Sequence, residues 1–154
     1  PRAIGVLQKA GLVQPKGDWT PLSTPADIDT DKSKVKVTPL KAEQIANALS
    51  DPQVVGGVVN NDYVADAGIS LDEAVYADKA EGEEARPYIN VFVSRKADVD
   101  NETYLKLVQI YHDTQAVQDG LSEKSSGTAV SAKDYSKAEL QGFLSDLESE
   151  VKAK

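Results

Sequence analysis

The stretch Val54-Val55-Gly56-Gly57-Val58-Val59-Asn60-Asn61-Asp62-Tyr63 constrains this chain more than any other. A short β-branched run that does not alternate with polar residues predicts a strand buried on both faces. Gly56 and Gly57 weaken such a strand and mark a bulge, or a close approach of backbone or ligand. Two amides and a carboxylate follow abruptly, then Tyr63 and a short helix that Gly68 ends. In open α/β sheets, ligands sit just beyond the carboxyl ends of the strands. That position makes the loop groups Asn60, Asn61 and Asp62 candidate ligand contacts. The same residue types also turn a chain and cap a helix, and spacing alone leaves both readings open.

The flanks fit an α/β layout. Residues 34–40 alternate as Lys34, Val35, Lys36, Val37, Thr38, the period of a strand with one wet face. Ala42, Ile45, Ala46 and Leu49 then follow at helical spacing until Asp51-Pro52 breaks the pattern. Strand, helix and strand with short links predict a βαβ unit with parallel strands and a right-handed crossover. Residues 87–93 read as a third strand. Ahead of these, Ala3, Ile4, Leu7 and Ala10 form one side of a helix that Gly11 is placed to end. Arg2 lies in its first turn, where a guanidinium opposes the helix dipole. Either a nearby anion is its partner or the position is incidental. Trp19 is expected to pack over the core, and one helical turn is expected around Ala26-Asp27-Ile28.

The second half reads as an acidic connection over residues 69–86, anchored by Leu71, Ala74, Val75 and Tyr76, followed by helices. Asn101 is placed to cap a helix with Tyr104, Leu107, Val108 and Tyr111 as its apolar stripe and His112 in its last turn. A helix C-terminus suits imidazolium without any catalytic role. A further short helix is expected over residues 114–121. Ser136-x-x-Glu139 is a capping box, and Leu140, Phe143, Leu144, Leu147 and Val151 follow at helical spacing.

Composition narrows the function classes. With 154 residues, 40% of them hydrophobic and 27% charged, one globular domain is expected, burying about two thirds of its unfolded surface. Eight acids stand against Lys79 alone between Asp62 and Glu84, which places −7 of the net charge of −8 in one segment. Such a surface repels phosphate backbones, so no nucleic-acid partner is expected. The acidic run lacks the calcium-loop pattern with its central glycine. Without cysteine there is no thiolate nucleophile, and the single histidine has no visible nucleophile to serve. Neither a catalytic set, a metal site nor a cofactor site is legible. An enzyme is therefore the least favoured class. No apolar run reaches the roughly 18 residues needed to span a bilayer. No basic-then-apolar leader opens the chain, which leaves a signal peptide absent or removed.

Several stretches together resemble one family. Arg2-Ala3 through Leu7-x-Lys9-Ala10-Gly11-Leu12 is similar to R-A-L-x-L-L-x-K-A-G-L of the NlpA family, the methionine-binding lipoproteins of ABC importers. Val58-Val59-Asn60-Asn61-Asp62-Tyr63-Val64-x-x-Ala67-Gly68 resembles its V-I-N-x-N-Y-A-x-x-A-G-L. Pro87-Tyr88-x-Asn90-Val91 with Arg95 resembles P-Y-x-N-(V/I)-x-V-x-R, and Gly127-Thr128-Ala129-Val130 fits near the family's end. The likeness covers residues 2–130 in order.

The resemblance implies an α/β periplasmic-binding-protein-like fold of the second topological type, present incompletely: the second lobe plus the returning C-terminal part of the first. Residues 1–80 would form the second-lobe portion, residues 81–130 the crossover strand and returning helices, and residues 131–154 an amphipathic helical extension. It implies capture of an amino acid, L-methionine foremost, and delivery to an ABC permease and ATPase complex. It also implies an extracytoplasmic lipoprotein, held at the membrane through an anchor outside this sequence. Arg2 would grip the ligand carboxylate, a role suited to its planar fork. Asn60 would contact the ligand's polar end, and Asn90 matches an asparagine near the crossover. Asp62 stands where the family usually has asparagine, and its carboxylate would pair with a ligand ammonium or shift the preferred ligand. The alternatives are a ligand-sensing regulatory domain on the same fold and an interaction module that binds no ligand. The chain is then a fragment, one of two pieces, or a protomer completed by another copy.

Overall fold

The computed structural model describes residues 1–64 and 67–153, without the side chain of Asp62. Two compact units divide it: Pro1–Asp78 with the chain's last residues from Val151, and Lys79–Glu150. Helices dominate the regular structure of both.

The first unit begins with α1 (Arg2–Lys9). Gly11 ends it at φ +70°, a left-handed conformation that glycine adopts without a Cβ clash. The Leu12 N–H then reaches back to the Leu7 carbonyl at 2.9 Å and the Gly11 N–H to Gln8 at 2.9 Å, a Schellman closure. This turn aims the chain so that Val13 buries beside Ile4 and Ile28, each 5% exposed. Leu7, Trp19, Val35 and Val37 pack against that cluster. Trp19 lies over Gly5, where an added Cβ would meet the indole at 3.0 Å. The expected turn before Ile28 is a single 3-10 turn at Pro25–Asp27. Ile28 pairs with Pro15 through one antiparallel bridge, flanked by Lys16 N–H to Asp27 at 2.8 Å and Asp29 N–H to Gln14 at 2.8 Å. A side-chain bond from Lys32 holds the Asp29 carboxyl below the usual carboxylate range, with the Lys32 and Asp31 amides adding to it.

The three expected strands are not formed as strands. Residues 34–40, 54–59 and 89–95 run outside any ladder, and residues 83–88 form a 3-10 helix containing Pro87. The βαβ unit is therefore absent among the described residues, although its helix forms as α2 (Ala42–Ala48). A strand exists through backbone pairing with a neighbour, and among the described residues these segments pair with none. Side-chain burial still follows the sequence in one of them: Val35 and Val37 are half-buried while Lys34, Lys36 and Thr38 are exposed. In residues 54–59 the expected two-sided burial fails, since Val55 is 88% exposed.

Gly57 explains what that segment does instead. It lies against α2, where a Cβ would fall 2.8 Å from the Ile45 Cγ2 and 3.3 Å from the Leu49 Cδ2; Gly56 has nothing within 4 Å. Gly57→Ala is expected to destabilise the unit by about 1–3 kcal/mol through overpacking. Gly56→Ala serves as the neutral control, and urea unfolding of both variants checks the pair.

The second unit carries α4 (Glu102–Asp113), α5 (Gln115–Lys124) and most of α6 (Lys137–Ala153); α3 (Asn61–Val64) belongs to the first. The Asn101 side chain accepts from the Thr103 N–H at 3.0 Å and the Tyr104 N–H at 3.3 Å, the expected cap. Phe92 meets Tyr111 edge-on at 5.2 Å, and Phe143 of α6 meets Tyr135 at 5.3 Å with the Arg86 guanidinium 4.7 Å above its ring. The stripes are only partly covered: Tyr104, Leu107, Leu144 and Val151 remain exposed. The acidic connection is looser than expected: of its four expected anchors, Ala74, Val75 and Tyr76 are exposed and Leu71 is half-buried.

The Ser136 capping box forms as expected. The Glu139 carboxylate accepts from the Ser136 N–H at 2.8 Å and from its hydroxyl at 2.6 Å, which holds the Glu139 pKa below the ordinary value. A lowered folded pKa means the cap contributes fully above the unfolded pKa and is lost as pH falls through the folded one. Helicity at 222 nm is expected to decline as pH drops below the ordinary 4.5. Glu139→Gln should remove that part of the acid transition.

The small core has a measurable consequence. The chain exposes 11607 Å². Two separate domains of half its mass would together expose about 9,100 Å², and its unfolded chain about 24,000 Å². Folding thus buries about half of the unfolded surface rather than the expected two thirds. Besides Ile4, Val13 and Ile28, the described buried hydrophobics add only Val64.

Candidate functional site

The site is built from the two ends of the first unit. At its start, α1 presents Arg2 in the first turn, with no acidic residue of that turn to balance it. The structure supplies the anion: the Arg2 Nε donates to the Asp78 Oδ2 at 2.7 Å across a separation of 76 residues. The Arg2 side chain is 50% exposed and that of Asp78 33%. Arg2 is thus a carboxylate-binding guanidinium in the described fold, open to solvent. A distance of 2.7 Å is at the short end for charge-assisted hydrogen bonds.

Asn60 is placed by what flanks it. On one side Gly57 is pressed to α2; on the other α3 is fixed by Val64, which is 8% exposed. Between these anchors the Asn60 carbonyl accepts from the Tyr63 N–H at 2.9 Å, turning the chain into α3. Its side chain is exposed, as is that of Asn61. The Asn60 main chain thus turns the chain into α3, while its side chain is exposed to solvent. Asp62 lies within α3, and its side chain falls outside the described residues. Asn90 belongs to the second unit, exposed in the extended segment that follows the 3-10 helix Glu83–Tyr88.

Asp78 is the functional candidate that sequence reasoning passed over. In the sequence it is one acid among the eight of the negatively charged segment. The signal was present in Arg2, a cation at the positive end of a helix that calls for an anion. Nothing in periodicity names which of the many acids supplies it.

His112 lies half-buried at the end of α4, edge-on to the Tyr111 ring at 5.3 Å, with its Nδ1 buried and unpartnered. No group of His, Asp or Glu among the described residues is arranged to hold a metal ion. No described helix is long and apolar enough to cross a membrane.

The sequence profile of the NlpA lipoprotein family matches residues 1–133. Among curated proteins, the chain is similar to the D-methionine-binding lipoprotein MetQ of Escherichia coli strain K12. That relative is 28% identical over 118 residues, which are 76% of this chain and 42% of the relative. It is also similar to a probable D-methionine-binding lipoprotein MetQ of Haemophilus influenzae, 29% identical over 119 residues, or 77% of this chain and 41% of the relative. Among solved structures, protein PG110 from Staphylococcus aureus superposes with a TM-score of 0.70 at 31% identity, covering 92% of this chain and 56% of that one. The substrate-binding protein of a methionine transporter from Streptococcus pneumoniae gives 0.62 at 27% identity, covering 82% and 48%. The chain spans less than half the length of the curated relatives it matches.

Proposed function

Since the chain belongs to the NlpA lipoprotein family, we propose that it forms the amino-acid-gripping part of an extracytoplasmic solute-binding protein that serves an ABC importer. The observation that carries this reading is Arg2, a half-exposed guanidinium already engaged with a carboxylate at 2.7 Å. An amino acid offers the same chemical group, and arginine's planar fork suits it. Asn60 and Asn90 are the further proposed ligand contacts, with Asp62 as partner of the ligand ammonium. The protein captures and releases its ligand unchanged. Delivery goes to a permease and its ATPase, with a lipid anchor holding the binding protein at the membrane surface.

Methionine is the proposed ligand, supported by the relatives named as a D-methionine-binding lipoprotein and as the substrate-binding protein of a methionine transporter. The extended, unpaired segments 54–59 and 89–95 are proposed to become strands of a two-lobed α/β fold when paired with the rest of that architecture. In that fold, residues 1–80 fall in the second lobe, residues 81–130 return to the first, and residues 131–154 extend it. Calorimetric titration with L-methionine and D-methionine tests the ligand. Saturable binding of one or both supports the reading, and heat of dilution alone with both would remove it.

A further inference from the structure

We propose that Asp78 is a resident competitor for the ligand's carboxylate, occupying the anion position of Arg2 until an amino acid displaces it. The inference rests on the amino-acid-binding reading above and adds a residue that tunes its affinity.

Three observations converge on it. The contact is chemically the one a ligand carboxylate would make: a carboxylate oxygen on a guanidinium N–H at 2.7 Å. An incoming carboxylate that takes the Nε side of the fork needs the place Asp78 holds. The contact is also open to exchange, because both side chains reach solvent, at 50% and 33% exposed. An exposed ion pair is weak enough for a ligand to replace. Finally, the segment bearing Asp78 has little else to hold it. Val75 is 102% exposed, Tyr76 40%, and Ala77 is exposed, while Asp78 itself is half-buried. Asp78 is the last residue of the first unit before Lys79 opens the second. Giving up the ion pair therefore disturbs no packed core.

Charge works in the same direction. The first turn of α1 and the Arg2 guanidinium together favour an anion. With Asp78 seated, that anion is already present, and a second carboxylate is repelled by it. Removing the Asp78 charge should tighten carboxylate ligands while leaving a ligand without a carboxylate unaffected. An exposed pair of this kind corresponds to a change of about two- to fivefold in an equilibrium constant.

The test is Asp78→Asn, which keeps size and removes charge, read in two ways. Arg2 modification by phenylglyoxal, followed by peptide mass spectrometry, reports how far Asp78 covers the guanidinium without requiring a ligand. The variant should react severalfold faster at Arg2 while Arg86 and Arg95 are unchanged; an equal rate at Arg2 overturns the inference. Calorimetry with methionine should then show about two- to fivefold tighter binding by the variant, and methioninamide should show no such gain. Wild-type binding that the substitution leaves unchanged or weakens overturns the inference but not the functional reading. Absence of methionine binding by both proteins overturns the functional reading, and the competition with it.

Discussion

Ile28→Ala is expected to lower the stability of the first unit by about 2–5 kcal/mol, the range for truncating a buried isoleucine that leaves a cavity. The effect is large because so little else is buried. Ile28 is 5% exposed and shares its cluster with Ile4 and Val13 alone as fully buried partners. It also carries the single bridge to Pro15. At roughly 0.05–0.15 kcal/mol per residue, a unit of this size holds only about 4–12 kcal/mol in total. The substitution therefore removes a large share of it. Trp19, the only tryptophan, packs against the same cluster, so its fluorescence follows the loss directly. Val75→Ala is the matching control, since Val75 is fully solvated and should leave the transition unmoved. Equal midpoints for the two variants would show that the Ile28 cluster is not the core.

Arg2→Ala is the second large expectation, and it concerns binding rather than folding. Each hydrogen bond to a charged group contributes about 1.5–3 kcal/mol, and a bidentate carboxylate grip makes two. At about 1.4 kcal/mol per factor of ten, loss of that grip weakens methionine binding by at least about 100-fold. Arg2→Lys keeps the charge but not the planar fork, so it should fall between the two. Stability should barely change, because the Arg2–Asp78 pair is exposed and such pairs contribute about 0–1 kcal/mol. Calorimetry with methionine and urea unfolding separate the two effects. A loss of stability that matches the loss of affinity would assign Arg2 a structural role instead.

The local elements were legible in the residues. The end of α1 followed from Gly11, the start of α4 from Asn101 and the start of α6 from Ser136 and Glu139, because each rests on partners within a few positions. The Gly56-Gly57 pair signals a bulge or a close approach without saying which, and the structure presses Gly57 alone against α2 while Gly56 stands in open space. What failed was long-range. Val35 and Val37 show strand-like alternation in burial without a neighbouring strand, so period two describes a face and not a ladder. Residues 54–59 read as doubly buried because they are apolar, yet Val55 is 88% exposed. Apolar content states what a segment is able to bury, and burial itself needs a covering partner. Arg2 could be singled out by its place on the helix dipole, whereas Asp78 lies 76 residues away and follows no periodic signal.

The most direct test of the carboxylate grip is native mass spectrometry of the purified chain mixed with equal amounts of methionine and 3-(methylthio)propylamine. The amine keeps the thioether and ammonium but lacks the carboxylate. The predicted result is a complex carrying one methionine and none carrying the amine, and its loss in Arg2→Ala. Equal adducts of both ligands, or none of either, would contradict a function built on Arg2.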